Sequence, residues 1–266
     1  MRHVRALTRD QAIVLASIAG ITALAWLYLV NMAGEMSEMA DMVGMPDMET
    51  MAGMALVTPY ARWAVDDVLV AGTMWIVMMA GMMLPSAAPM ILLYAAGERR
   101  RSSAPLLATS AFVAGYLLIW TGFSLAALGA QWLLLRAGLF APEMKVTSGL
   151  IGGGVFIAAG LYEWSPLKER CLALCQSPLG FIAGHWRPGI GGALRMGLGH
   201  GAYCLGCCWA LMLLLFVGGV MNLLWVAGLA ALVLLQKIVP GARRVSRATG
   251  LAMLAAGIYL IAQAAR

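Results

Sequence analysis

Seven stretches of this chain are apolar and nearly free of charge over lengths that suit a bilayer: about 11–31, 65–95, 104–134, 147–163, 190–217, 221–239 and 248–265. A hydrocarbon core of about 30 Å takes about 20 residues of helix, and it holds no water to satisfy stray backbone groups. The expected fold is therefore an all-α polytopic membrane protein of about seven spans. The fourth stretch is the weakest, being short and carrying four glycines in its first half. Composition agrees: charged residues make up 11% of the chain, against about 25% in soluble domains.

The basic residues set the orientation. With the N-terminus in the cytoplasm, 14 of the 18 Lys and Arg side chains fall on inner segments, from Arg2, Arg5 and Arg9 to Arg243, Arg244 and Arg247. The outer side keeps Arg62, Arg136, Lys145 and Arg266, so the positive-inside bias predicts N-in and C-out. The net charge of +6 is scattered over short loops, which argues for lipid and against nucleic acid as the partner. The run after Arg9 is of full spanning length and has no small-residue cleavage site, so it reads as an uncleaved first helix. Two units are expected: residues 1–64, the first helix with a Met-rich outer loop, and residues 65–266, a six-helix membrane domain.

Within the fifth span lies His200-Gly-Ala-Tyr-Cys204-Leu-Gly-Cys207-Cys208. At about 100° per residue, His200, Cys204, Cys207 and Cys208 share an arc of roughly 100°. Polar groups at membrane depth are costly unless they do something, and three thiols with an imidazole suit a soft metal. The alternative is packing, with Cys as a small hydrophobe and Gly199, Gly201 and Gly206 allowing close helix contact. His200 and Cys208 lie about 12 Å apart along the axis, so one ion cannot take all four groups. A site built on Cys204 with Cys207 or Cys208 must recruit donors from elsewhere. Thiolate with some thioether favours Cu(I), with zinc the competitor.

Donors of that kind occur in three places. After span four, Ser165 and Pro166 read as the N-cap and first turn of a helix of about ten residues that Pro178 closes. This helix is basic and amphipathic, is expected along the cytoplasmic interface, and carries Cys171 and Cys175 at i, i+4. The cytoplasm keeps thiols reduced, so this pair suits metal exchange better than a structural disulfide. Span two carries Met74, Met78 and Met82 on one stripe and Met79 and Met83 on another. Met78 and Met82 are candidate thioether ligands, set against ordinary core packing by Met and a helix kink at Pro85. The outer loop repeats Met nearly every third residue, from Met32 and Met36 to Met51 and Met54, with Glu35, Glu38, Asp41, Asp47 and Glu49 between. Thioether binds Cu(I) without deprotonation, so this loop reads as a metal collector, or else as a surface loop with Met at its apolar positions.

Other polar residues have plainer readings. Asp66 and Asp67 suit the N-terminus of span two as caps. Tyr116, Trp120 and Gln131 of span three are assigned to scaffold, and Glu163 to a ligand or, more often for such a position, a carboxylate reaching the interface. His185 is placed in an interfacial loop beside Trp186, and Lys237 as an anchor in the headgroups.

The stretch Pro166 to Pro178, the stretch His200 to Trp209, Gly218-Gly-Val-Met221-Asn222, and the methionine motif from Trp75 to Ser86 resemble a bacterial family of integral membrane proteins. That family is a domain of unknown function labelled copper chaperone. The resemblance covers about residues 65–262 and leaves out the methionine loop. It implies metal binding in the bacterial inner membrane, and an acidic residue before the lysine of span six, where this chain has Gln236.

The expected activity is to bind and handle Cu(I), collecting it outside and passing it through the span-five thiols to a cuproprotein or oxidase client. His200, Cys204, Cys207 and Cys208 are the expected ligands, with Cys171 and Cys175 as an exchange pair. Two other classes remain: a membrane thiol-disulfide oxidoreductase using Cys204 and Cys207, and a structural subunit of a respiratory metalloenzyme. The sequence has no phosphate-binding loop, redox-cofactor fingerprint or hydrolytic triad, which argues against pumping or hydrolysis by this chain alone.

Overall fold

The computed structural model describes residues 9–43, 64–101, 103–139, 146, 148–239 and 241–266. The described residues are mostly helical, and among them there is no strand. In chain order the helices are α1 (Arg9–Val43), α2 (Val65–Glu98), α3 (Pro105–Arg136), α4 (Gly149–Tyr162), α5 (Pro166–Gln176), α6 (Pro178–His185), α7 (Gly189–Leu213), α8 (Leu215–Gly218), α9 (Leu223–Ile238) and α10 (Ala242–Ala264).

Five segments are long and apolar enough to cross a membrane: Arg9–Glu35, Val65–Glu98, Pro105–Arg136, Gly189–Gly218 and Ala242–Ala264. The stretches expected as spans four and six form α4 and α9, of 14 and 16 residues. At about 1.5 Å per residue these reach about 21 and 24 Å, short of the hydrocarbon thickness. Local stops explain their lengths. Ser148 caps α4, its hydroxyl accepting from the Ile151 amide, and only three residues separate Tyr162 from the start of α5 at Pro166. Asn222 caps α9 by accepting from the Trp225 amide, and Pro240 follows its end.

Helix α1 runs on to Val43, well past the expected end of span one, so the methionine stretch begins in helix rather than in loop. Met45, Met48, Met51 and Met54 lie outside the described residues. Beyond Pro178 the chain turns directly into α6 instead of a loop, placing His185 on the last turn with its ring stacked on Phe181 at 4.7 Å. The cap readings hold at both expected places. Asp67 accepts from the Ala64 amide at 2.9 Å, and the Ser165 hydroxyl accepts from the Lys168 amide at 3.1 Å.

Helix α3 packs along α7 and α2, α1 along α2, α4 along α10, and α5 along α7. The α3–α7 crossing is the closest. A Cβ on Gly197 would overlap the Phe112 carbonyl, and one on Gly115 would overlap the Leu194 carbonyl, so these two glycines let the backbones touch. That contact presents Tyr116 of α3 to the thiol-bearing face of α7.

Candidate metal centre

Cys204, Cys207 and Cys208 are all buried, on the side of α7 that faces the interior. The Cys207 and Cys208 thiols each donate to the Cys204 carbonyl, at 3.1 and 2.9 Å, which is the usual way for a helical side chain to bond back one turn. Across from them stands α5. Its start is fixed by the Ser165 cap and Pro166, and its cysteines face α7. Cys175 Sγ lies 4.0 Å from Cys207 Sγ. Cys171 fits against Gly206, where an added Cβ would stand 2.8 Å from its sulfur. All five cysteines are free.

The Cys175–Cys207 gap suits one ion. Two metal–sulfur bonds of about 2.3 Å span about 4.6 Å, so a shift of a few tenths of an ångström admits a two-coordinate ion. Among the described residues no three His, Cys, Asp or Glu side chains stand together as a ready metal site, so the four-donor cage that structural zinc takes is not formed. Burial pushes the Cys171 thiol up from its ordinary range, with Cys207 adding to it. Cys175 is raised as well, first by its hydrogen bond with Cys207 and then by burial.

Three sequence readings are corrected, two of them beside Cys204. Lys237 is not a headgroup anchor: it is 9% exposed, and its ammonium donates to Ser86 Oγ at 2.7 Å and to Cys204 Sγ at 3.0 Å. Tyr116 is more than scaffold, because its hydroxyl lies 3.0 Å from the Met83 carbonyl and 3.1 Å from Cys204 Sγ. It has one proton, so it either donates to Met83 and accepts from a Cys204 thiol, or donates to a Cys204 thiolate. Glu163 does not reach out to an interface: its buried carboxylate pairs with the Lys168 ammonium and accepts from Gln236 Nε2 at 3.0 Å and Ser246 Oγ at 2.6 Å. Lys168 also donates to Gln236 Oε1 at 2.9 Å. Gln236, standing where the resemblance implied an acidic residue, thus acts as both donor and acceptor in this knot. Lys237, the next residue along α9, touches the thiol site.

Met78 and Met82 are buried in the core of α2. Ser86 continues their i, i+4 stripe by one turn and is the residue that meets Lys237, so the thioether stripe leads to the Lys237–Cys204 contact. His200 is also buried, but its ring is walled by Phe112, Tyr116 and Phe181 at 6.0, 5.6 and 5.5 Å, and its Nδ1 has no hydrogen-bond partner. No described hydrogen bond joins it to a thiol. Helical spacing pointed to the cysteines and the histidine, whereas Lys237, Tyr116 and Ser86 carried no signal short of knowing which helices meet.

A family model described as copper chaperone matches residues 72–260, more than two thirds of the chain. No curated protein and no solved structure matches.

Proposed function

Because this chain belongs to the copper chaperone family, a copper-related role is its starting point, and we propose that it holds Cu(I) inside the bacterial inner membrane and passes it on. The observation that carries this reading is the pair Cys175 and Cys207, from different helices, with sulfurs 4.0 Å apart beside Cys204. Soft thiolates suit a monovalent copper ion, and a two-sulfur gap suits its low coordination number better than it suits zinc. The family description names a carrier rather than a catalyst, in keeping with binding and transfer instead of turnover.

Cys204 is the natural third sulfur. It lies one helical turn from Cys207 and Cys208, so copper can exchange ligands along α7 without leaving the buried face. His200, one turn further on, offers an unpartnered nitrogen as the next donor. Cys171 backs the pair on α5, and Met78 and Met82 lead toward it on α2. The chain crosses the membrane seven times with its N-terminus in the cytoplasm. Helices α4 and α9 serve as short spans beside longer neighbours, and the 32–63 stretch gathers cations outside for a cuproprotein or oxidase client.

The test is elemental analysis of detergent-purified protein loaded anaerobically with Cu(I). Wild type retains about one copper per chain after desalting, and Cys175→Ser/Cys207→Ser retains none while remaining monodisperse. Equal copper in both would remove the site from these two sulfurs.

A further inference from the structure

Lys237 is a lysine without a carboxylate. Among the described residues its ammonium meets only Ser86 Oγ and Cys204 Sγ, and the ion pairs that occur belong to other side chains. The nearby Glu163 and Lys168 neutralise each other. The Ser86 hydroxyl spends its proton on the Met83 carbonyl at 2.8 Å, which turns its lone pairs toward Lys237. A positive charge is thus anchored 3.0 Å from the sulfur cluster, and among the described residues no carboxylate pairs with it.

We infer that Lys237 makes this centre selective for a monovalent soft cation, by supplying the one positive charge that a Cu(I) dithiolate needs to be neutral. The inference rests on the copper reading above. Binding runs Cu⁺ + 2 RSH → [Cu(SR)₂]⁻ + 2 H⁺, with both protons leaving to solvent and no change in oxidation state. With the sulfurs outside the pair kept as thiols, the complex carries −1, and the Lys237 ammonium brings the buried site to zero. The sum is the same whether the two sulfurs are Cys175 and Cys207 or Cys204 and Cys207, so copper can step between pairs with no charge left bare.

A divalent ion on the same two sulfurs is neutral by itself and leaves Lys237 uncompensated. Net charge in a low-dielectric interior is costly, so that state is disfavoured. A third thiolate, Cys204 being the nearest, would restore balance only by a further rearrangement, since among the described residues no three such donors are set as a ready metal site. Selection by charge therefore adds to selection by sulfur softness. Replacing Lys237 changes which ion is preferred, beyond how tightly any ion is held.

The experiment compares Ag(I) and Hg(II), two thiophilic ions that both accept two sulfurs and differ in charge. Competition titrations on the full chain in detergent give the Hg(II)-over-Ag(I) preference, referenced to dithiothreitol. In wild type that preference is at least tenfold smaller than for the free dithiol. In Lys237→Met it returns to within threefold of the free dithiol, and Lys237→Arg keeps the wild-type value. Cu(I) affinity, measured beside these against a chromogenic chelator, falls at least tenfold in Lys237→Met. Should Lys237→Met fail to fold, the wild-type comparison decides alone. A wild-type preference equal to that of the free dithiol overturns the inference, as does Lys237→Met behaving like wild type while Cu(I) still binds. Wild type that binds no Cu(I) overturns the copper reading and this inference together.

Discussion

Removing the Glu163 carboxylate is the sharpest test of how this membrane domain is held together. Glu163 and Lys168 are 0% and 1% exposed at their side chains, and the carboxylate also takes bonds from Gln236 of α9 and Ser246 of α10. One residue at the α4–α5 junction thereby ties α5, α9 and α10. In Glu163→Ala the Lys168 ammonium stays buried with only Gln236 Oε1 to accept from it. Stripping one partner from a buried ion pair costs about 3–5 kcal/mol, because the survivor keeps its desolvation penalty. At roughly 2–4 °C per kcal/mol for a chain of this size, the melting temperature should fall by on the order of 10 °C. The assay is thermal unfolding of detergent-purified protein followed by circular dichroism. Glu163→Leu/Lys168→Met supplies the control, since replacing both partners by apolar groups is often neutral. Its melting point should recover most of the loss. A Glu163→Ala drop under about 3 °C, or a double variant no better than the single, would refute the assignment of a tight buried pair.

Three further outcomes follow from the same structure. Gly197→Ala should destabilise by about 3 kcal/mol, the upper end for overpacking, because its Cβ meets the Phe112 backbone, which cannot step aside as a side chain could. Gly122→Ala, with nothing within 4 Å, should melt within about 2 °C of wild type in the same scan. Cu(I) affinity should rise with pH across the neutral range, because the ligand Cys175 is held above the usual thiol range, first by its hydrogen bond with Cys207 and then by burial, so copper must displace its proton. Each displaced proton gives about a tenfold gain per pH unit, and a flat profile in chelator competition would mean that binding releases none.

Much of the architecture was legible from local signals. Uncharged runs gave five helices long enough to span. Ser165 with Pro166 gave a helix start whose cap is in place, and the caps at Ser148 and Asn222 came only with the structure. The arc from His200 to Cys208 marked the inward face of α7, because the angle between residues on one helix is fixed by the backbone alone. Span length was less legible at α4 and α9, since hydropathy measures how apolar a run is, while caps and prolines decide where its helix stops.

What the sequence determined by itself was therefore the set of helices and the face of α7 that carries soft donors. The tertiary structure alone decided which sulfurs meet and what charge attends them. Cys175 and Cys207 are 32 positions apart, and Cys204 and Lys237 are 33 apart, so no periodicity within one helix relates them. Lys237 and Glu163 stood at the ends of apolar runs, where a charged side chain ordinarily reaches water. They turn inward because Ser86 and Cys204 in one case, and Lys168, Gln236 and Ser246 in the other, arrive from other helices to replace that water. A charge is buried only where its partners are assembled, and that assembly belongs to the packing.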